Sequence, residues 1–137
     1  MSSLIQPEIF FSALSPAEQR IQQALEDIRQ GKPVLVMDDF DRENEADLIV
    51  AAETLNVDTM ARMIRDGSGI VCFCLTEQLA DHLDLPPMVQ NNSSQFHTAF
   101  TVTIEAAQGV TTGVSAQDRV TTCLLYTSDA ADEEDSV

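Results

Sequence analysis

The sequence is poor in basic residues: seven lysines and arginines stand against 23 aspartates and glutamates among 137 residues, a formal net charge of −16. Nucleic-acid binding needs a basic surface, so we expect no nucleic-acid partner. Long apolar runs and a basic-then-apolar leader are also missing, so we expect no membrane partner. Three cysteines, an odd number with Cys72 and Cys74 two apart, do not suit a disulfide framework. These absences favour a cytoplasmic protein with buried thiols.

The patterns that are present alternate between helix and strand along the chain. Capping residues predict helix starts at Ser15, Asn56, Thr76 and Ser115. Apolar or alternating runs predict strands at 34–37, 48–52, 70–75 and 100–105, the first two buried. With 44% hydrophobic residues, such a chain can bury one modest core. The predicted fold class is α+β, close to α/β, with a mixed sheet covered by helices.

An acidic stretch, residues 38–47, lies between two of these apolar runs. In an extended conformation its alternate positions share one side, which gathers Asp39, Asp41, Glu43, Glu45 and Asp47. A hard cation such as Mg²⁺ takes oxygen ligands and would relieve their repulsion. The alternative is a solvated acidic turn, because acidic runs are more often solvated turns than binding sites. The rigid flanks and the interleaved Arg42 and Asn44 favour a site.

A second stretch whose residues could form a binding site is 109–119. Ser115 and Asp118 have the spacing of a helix cap, so the preceding Thr111, Thr112 and Gly113 lie where backbone N–H groups would be free. Free N–H groups, two hydroxyls and Arg119 would suit an anion such as a sugar phosphate. The alternative is an ordinary capped helix preceded by a glycine turn.

Several stretches resemble one family. VLVMDDFDRENEADLI at 34–49 resembles the signature of 3,4-dihydroxy-2-butanone 4-phosphate synthase, an enzyme of riboflavin biosynthesis. The runs RDGSGIVC, LPPMV, FTVTIE and GVTTGVSAQDR, at 65–72, 85–89, 100–105 and 109–119, agree with that family in order and spacing. The resemblance extends from about residue 21 to 122 and covers the first part of the family's domain.

The resemblance implies a lyase that converts D-ribulose 5-phosphate to L-3,4-dihydroxy-2-butanone 4-phosphate and formate, with Mg²⁺ (or Mn²⁺), as a homodimer. It implies that Glu43 is the metal ligand. It implies substrate contacts from Arg42, Asp47, Cys72, Thr111, Thr112 and Arg119. It also implies that Asp38, Asp41 and Glu45 carry out proton transfer or hold metal-bound water.

The character of the sequence changes at Cys123. Residues 123–137 contain five acids and no base, and depart from the family's pattern in the middle of a predicted helix. We therefore expect an N-terminal arm at 1–14, a partial synthase domain at 15–122 and a foreign or disordered acidic tail at 123–137. The chain is then expected to be an incomplete, inactive fragment. The alternative function is a non-catalytic acidic module that binds divalent cations or a basic partner.

Overall fold

The computed structural model describes residues 14–132. The chain divides into two compact units, Met1–Thr54 and Leu55–Val137, here called the first and the second unit. The predicted arm at 1–14 lies outside the described residues except for Leu14, and so does the last part of the predicted tail, 133–137.

The first unit begins with helix α1, Pro16–Arg29. Ser15 and Glu18 form the predicted capping box, because the Ser15 hydroxyl accepts the Glu18 N–H and the Glu18 carboxylate accepts the Ser15 N–H at 2.8 Å. The helix ends at Gln30, and Gly31 then takes a left-handed φ of 74°. A side chain rarely adopts this conformation, so the glycine ends the helix as predicted.

Two strands follow, β1 (Val34–Met37) and β2 (Ala46–Ile49), paired antiparallel with Val34 opposite Ile49 and Met37 opposite Ala46. The bounds of β1 match the prediction. The prediction of burial is wrong, since Leu35 is 60% and Met37 65% exposed. The second strand is shifted from the predicted 48–52, because a short 3₁₀ helix forms at Ala52–Thr54. The two strands thus form an exposed hairpin whose connection is the acidic stretch.

The second unit contains helices α2 (Val57–Asp66), α3 (Glu77–His82) and α4 (Ala116–Asp132). Asn56 and Thr76 cap α2 and α3 as predicted, each accepting a backbone N–H with its side chain. Helices α2 and α4 pack against each other. Met60 on α2 is fully buried, and Val120 and Cys123 of α4 are also buried. This helix pair supplies most of the core of the unit.

The strands predicted at 70–75 and 100–105 do not form. Within the second unit, as far as the structure describes it, the strand-like pairing is a single antiparallel bridge between Pro87 and Thr101. Ile70 is 79% and Phe100 52% exposed, so these apolar segments lack the neighbouring strand that a ladder requires. The α+β class is confirmed. The mixed sheet is not found among residues 14–132, where β1 and β2 make the whole sheet.

Helix α4 continues through the predicted boundary at residue 123. Cys123 is buried, and the ring of Tyr126 lies 6.2 Å from that of Phe73, measured between centroids. The first turn beyond the boundary therefore packs within the second unit. The division of the chain at 122/123 stays a prediction.

None of the helices that the structure describes combines the length and the apolar character needed to cross a membrane.

Candidate active-site residues

The acidic stretch forms a compact turn, so the expected extended arrangement is wrong. The Arg42 N–H donates to the Asp39 carbonyl at 3.1 Å, and Asn44 takes a left-handed φ of 52°. Asp38 closes the turn, since its N–H donates to the Glu45 carbonyl at 2.9 Å. Asparagine tolerates the left-handed conformation better than most residues, which explains its place here.

Asp38, Arg42 and Glu43 form one cluster at this turn. The Asp38 carboxylate accepts the Glu43 N–H at 2.9 Å and the Arg42 guanidinium at 2.8 Å. The same guanidinium lies 3.4 Å from the Glu43 carboxylate. The expected separation of Arg42 from the acidic side chains is therefore wrong, because a turn brings positions 38, 42 and 43 together where a strand would not.

Hydrogen bonding shifts the pKa values of Asp38 and Arg42 in this cluster. The Glu43 N–H is the main cause that holds the pKa of Asp38 below its usual range, against the opposing effect of burial, and Arg42 adds to it. The hydrogen bond to Asp38 in turn raises the pKa of Arg42, with smaller contributions from Glu43 and Asp47. Asp38 therefore anchors the turn through the Glu43 N–H and the Arg42 guanidinium.

The remaining acids of the stretch are exposed. Asp41 and Glu45 lie in the connection, and Asp47 lies on β2 opposite Val36. Among residues 14–127, whose side chains the structure describes, no three His, Cys, Asp or Glu side chains converge as a metal site. Mg²⁺ in proteins often takes only one or two carboxylates, together with waters and substrate oxygens. Glu43, with a side chain 31% exposed, fits such a single-ligand role.

The second unit holds the other candidates, Cys72, Thr111, Thr112 and Arg119. The Ser115 hydroxyl accepts the Asp118 N–H at 3.0 Å, as the cap spacing predicts. The preceding N–H groups are not free, however. Those of Thr111 and Gly113 donate to the Asp118 carboxylate at 3.1 and 3.0 Å, and the Thr111 hydroxyl donates to it at 2.8 Å. The expectation of a vacant anion site formed by these groups is wrong.

Arg119 donates to two backbone carbonyls, Val114 at 2.9 Å and Gly69 at 2.9 Å. The second bond ties the start of α4 to the loop that follows α2, fifty residues earlier. Cys72 comes just after this loop. The thiols of Cys72 and Cys74 are exposed, so the expectation of buried thiols is wrong for them. Cys123 is buried, and burial raises the pKa of its thiol.

Asp118 is the residue of this stretch whose contacts sequence reasoning missed. Its cap spacing with Ser115 was visible, but its contacts with a turn five to seven residues earlier were not. Gly113 takes a left-handed φ of 79°, and a Cβ there would overlap the Glu105 carboxylate. The glycine that permits this turn was the available signal.

Known proteins resemble this chain closely. A family model described as 3,4-dihydroxy-2-butanone 4-phosphate synthase matches residues 22–137. A synthase of that name from Histophilus somni (strain 2336) is 59% identical over 124 residues, which is 90% of this chain and 58% of the relative. One from Serratia proteamaculans is 62% identical over 121 residues, or 88% of this chain and 55% of the relative.

Solved structures agree. A synthase crystallised in complex with two magnesium ions is 43% identical, with a TM-score of 0.75, and the match covers 77% of this chain and 50% of that one. A synthase from Candida albicans is 46% identical, with a TM-score of 0.66, over 77% of this chain and 51% of its own. The chain therefore spans about half the length of the relatives that it matches.

Proposed function

Because the chain belongs to the 3,4-dihydroxy-2-butanone 4-phosphate synthase family, we propose that a protein containing it makes L-3,4-dihydroxy-2-butanone 4-phosphate for riboflavin biosynthesis. The substrate is D-ribulose 5-phosphate, and the second product is formate. The family match across residues 22–137 is the observation that carries this proposal. The activity is assigned to a protein that contains the chain, since the chain spans about half of its relatives' length.

The reaction needs a base for a carbon-bound proton, a hold on the oxygens of an enediol and an anchor for the phosphate. When bound, Mg²⁺ (or Mn²⁺) would stabilise negative charge on the enediol oxygens. Glu43 is proposed as its ligand in this chain, supported by its carboxylate at the hairpin turn and by the magnesium-bound relative. Arg42 is proposed to contact substrate, with its guanidinium held by Asp38.

The other acids of the turn take the remaining roles. Asp38, Asp41 and Glu45 are proposed for proton transfer or for holding metal-bound water. Asp41 and Glu45 are exposed, and Asp38 is held beside Arg42 and Glu43. Asp47 is proposed to contact substrate near Arg42, because its negative charge contributes to the raised pKa of that guanidinium. In the second unit, Cys72 and Thr112 are proposed substrate contacts, and both are exposed.

We also propose a homodimer in the cytoplasm. The dimer is supported by the exposed apolar side chains of β1, which are typical of surfaces that associate. The location is supported by the cysteine content, three in all, an odd number that does not suit a disulfide framework. A non-catalytic acidic module that binds cations or a basic partner has less support, because the relatives of this chain are synthases by name.

The test uses a chimaera in which this chain replaces the corresponding stretch of the Histophilus somni relative. With ribulose 5-phosphate and Mg²⁺ the chimaera should release formate, and a chelator should stop the release. Glu43→Gln keeps the size but removes the charge, so formate release should fall by orders of magnitude. The matched control is Glu53→Gln, an exposed acid of the same unit, which should leave the rate unchanged. Equal rates for the two variants would remove Glu43 from the metal site.

A further inference from the structure

Among residues 14–127, whose side chains the structure describes, Asp118 is the one buried charged or polar residue, with 3% of its surface exposed. A buried carboxylate is costly unless hydrogen bonds compensate for the lost water. Asp118 has them: burial would raise its pKa, but the Thr111 hydroxyl and N–H, together with Ser115 and the Gly113 N–H, hold that pKa below its usual range. The side chain is therefore a stable internal anion.

Three of the donors to the Asp118 carboxylate come from one turn. Thr111 gives its N–H to one carboxylate oxygen and its hydroxyl to the other, which also accepts the Gly113 N–H. Backbone N–H groups of one turn that converge on one carboxylate form the kind of concavity that binds anions in proteins. Here a side chain of the same chain already occupies the position that a phosphate oxygen would take.

We infer that Asp118 is a positioning residue, whose carboxylate fills the concavity of the Thr111–Gly113 turn, fixes that turn, and keeps a substrate phosphate from its N–H groups. The inference rests on the proposed function in one respect, namely that the excluded phosphate is that of the substrate. It changes the role of Thr111 from a contact to a donor toward Asp118. Thr112, exposed between the two bonded residues, keeps its proposed contact with the substrate.

Arg119, the next residue, acts in the same way on a second loop. Its bonds to the carbonyls of Gly69 and Val114 hold the loop before Cys72 against the start of α4. Adjacent residues of α4 thus position two loops that carry candidate substrate contacts, one through an anion and one through a cation. Arg119 is accordingly a second positioning residue.

The first measurement uses the unaltered 137-residue chain labelled with ¹⁵N and titrated with inorganic phosphate. The Thr111 and Gly113 amide resonances should not shift in a saturable way, because Asp118 occupies both. Saturable shifts at these two amides in the wild-type chain would overturn the inference without any variant.

The second measurement removes the anion. In Asp118→Ala, amide exchange at Thr111 and Gly113 should become about tenfold faster or more, because charge-assisted bonds are lost. Acetate or phosphate should then bind in the vacated concavity and restore slow exchange, a rescue that a general packing defect would not show. The matched control is Asp58→Ala, an exposed first-turn acid of α2, which should change neither property. Unchanged exchange in Asp118→Ala would overturn the inference, and so would failure of both anions to restore it.

If Asp118→Ala does not fold, two less disruptive variants that keep the Asp118 carboxylate provide the test. Thr111→Ser retains the hydroxyl and should keep the exchange at Gly113 slow, whereas Thr111→Val removes it and should speed that exchange. Equal exchange in the two variants would count against the inference. None of these measurements needs turnover. An inactive chimaera would therefore refute the proposed function, whereas the exchange and titration measurements would still test the role of Asp118. In an active chimaera, Asp118→Asn should raise KM more than it lowers kcat, and unchanged values of both would contradict positioning.

Discussion

Met60→Ala tests whether the α2–α4 pair is the core of the second unit. Met60 is fully buried on α2, and the chief helix packing of the unit is between α2 and α4. Truncating a buried methionine to alanine costs about 2–5 kcal/mol, since apolar transfer energy is lost and a cavity forms. If local opening carries this cost, amide exchange should become roughly 30-fold to several thousand-fold faster. The increase should appear in both helices, because neither keeps its packing without the other.

The matched control is Met88→Ala, the same substitution in the same unit at a side chain that is 51% exposed. It should change exchange in α2 and α4 by much less, since little apolar surface is uncovered. Hydrogen exchange followed by mass spectrometry resolves the two helices. Equal effects from both variants, or a Met60→Ala effect limited to α2, would refute the assignment of the core.

Two further predictions concern charged residues, and a third concerns the chain itself. The folded-state pKa of Asp38 and of Asp118 lies below the ordinary aspartate value of about 3.9, so their stabilisation should be complete above that value and lost as the pH falls through the lower folded pKa. Carboxyl NMR titration should therefore give midpoints below 3.9 for both, and a higher midpoint would contradict the hydrogen-bond assignment. Arg119→Ala should speed exchange at the loop around Gly69, whereas Arg119→Lys should restore only part of the protection, because an ammonium lacks the planar fork that reaches two carbonyls. Because the chain spans about half the length of its relatives, the 137-residue chain assayed alone should release no formate, and turnover by it would contradict this expectation.

Sequence reasoning succeeded where the determining contacts are local. The capping box at Ser15 and the caps at Asn56 and Thr76 set the starts of three helices, because a cap is decided by residues three apart. It failed where the structure depends on a partner that is distant in the sequence. The segment at 100–105 alternates as a strand should, yet a single bridge at Thr101 is its pairing within the described residues. Alternation predicts an extended chain and cannot supply the neighbouring strand.

The candidate site shows the same division. The acidic stretch and the Thr-Thr-Gly turn were both found from residue types and spacing. The turn conformation at Asn44 and the left-handed Gly113 then reversed two details: Arg42 joins the acids, and Asp118 fills the expected anion site. Both reversals depend on backbone angles that apolar periodicity does not encode.

The most direct test of the proposed activity is a carbon balance on the chimaera with ribulose 5-phosphate and Mg²⁺. A five-carbon phosphate that gives a four-carbon phosphate must lose one carbon, so formate and dihydroxybutanone phosphate should appear in equal amounts. Consumption of the substrate without formate, with all five carbons kept in one phosphorylated product, would contradict the assignment.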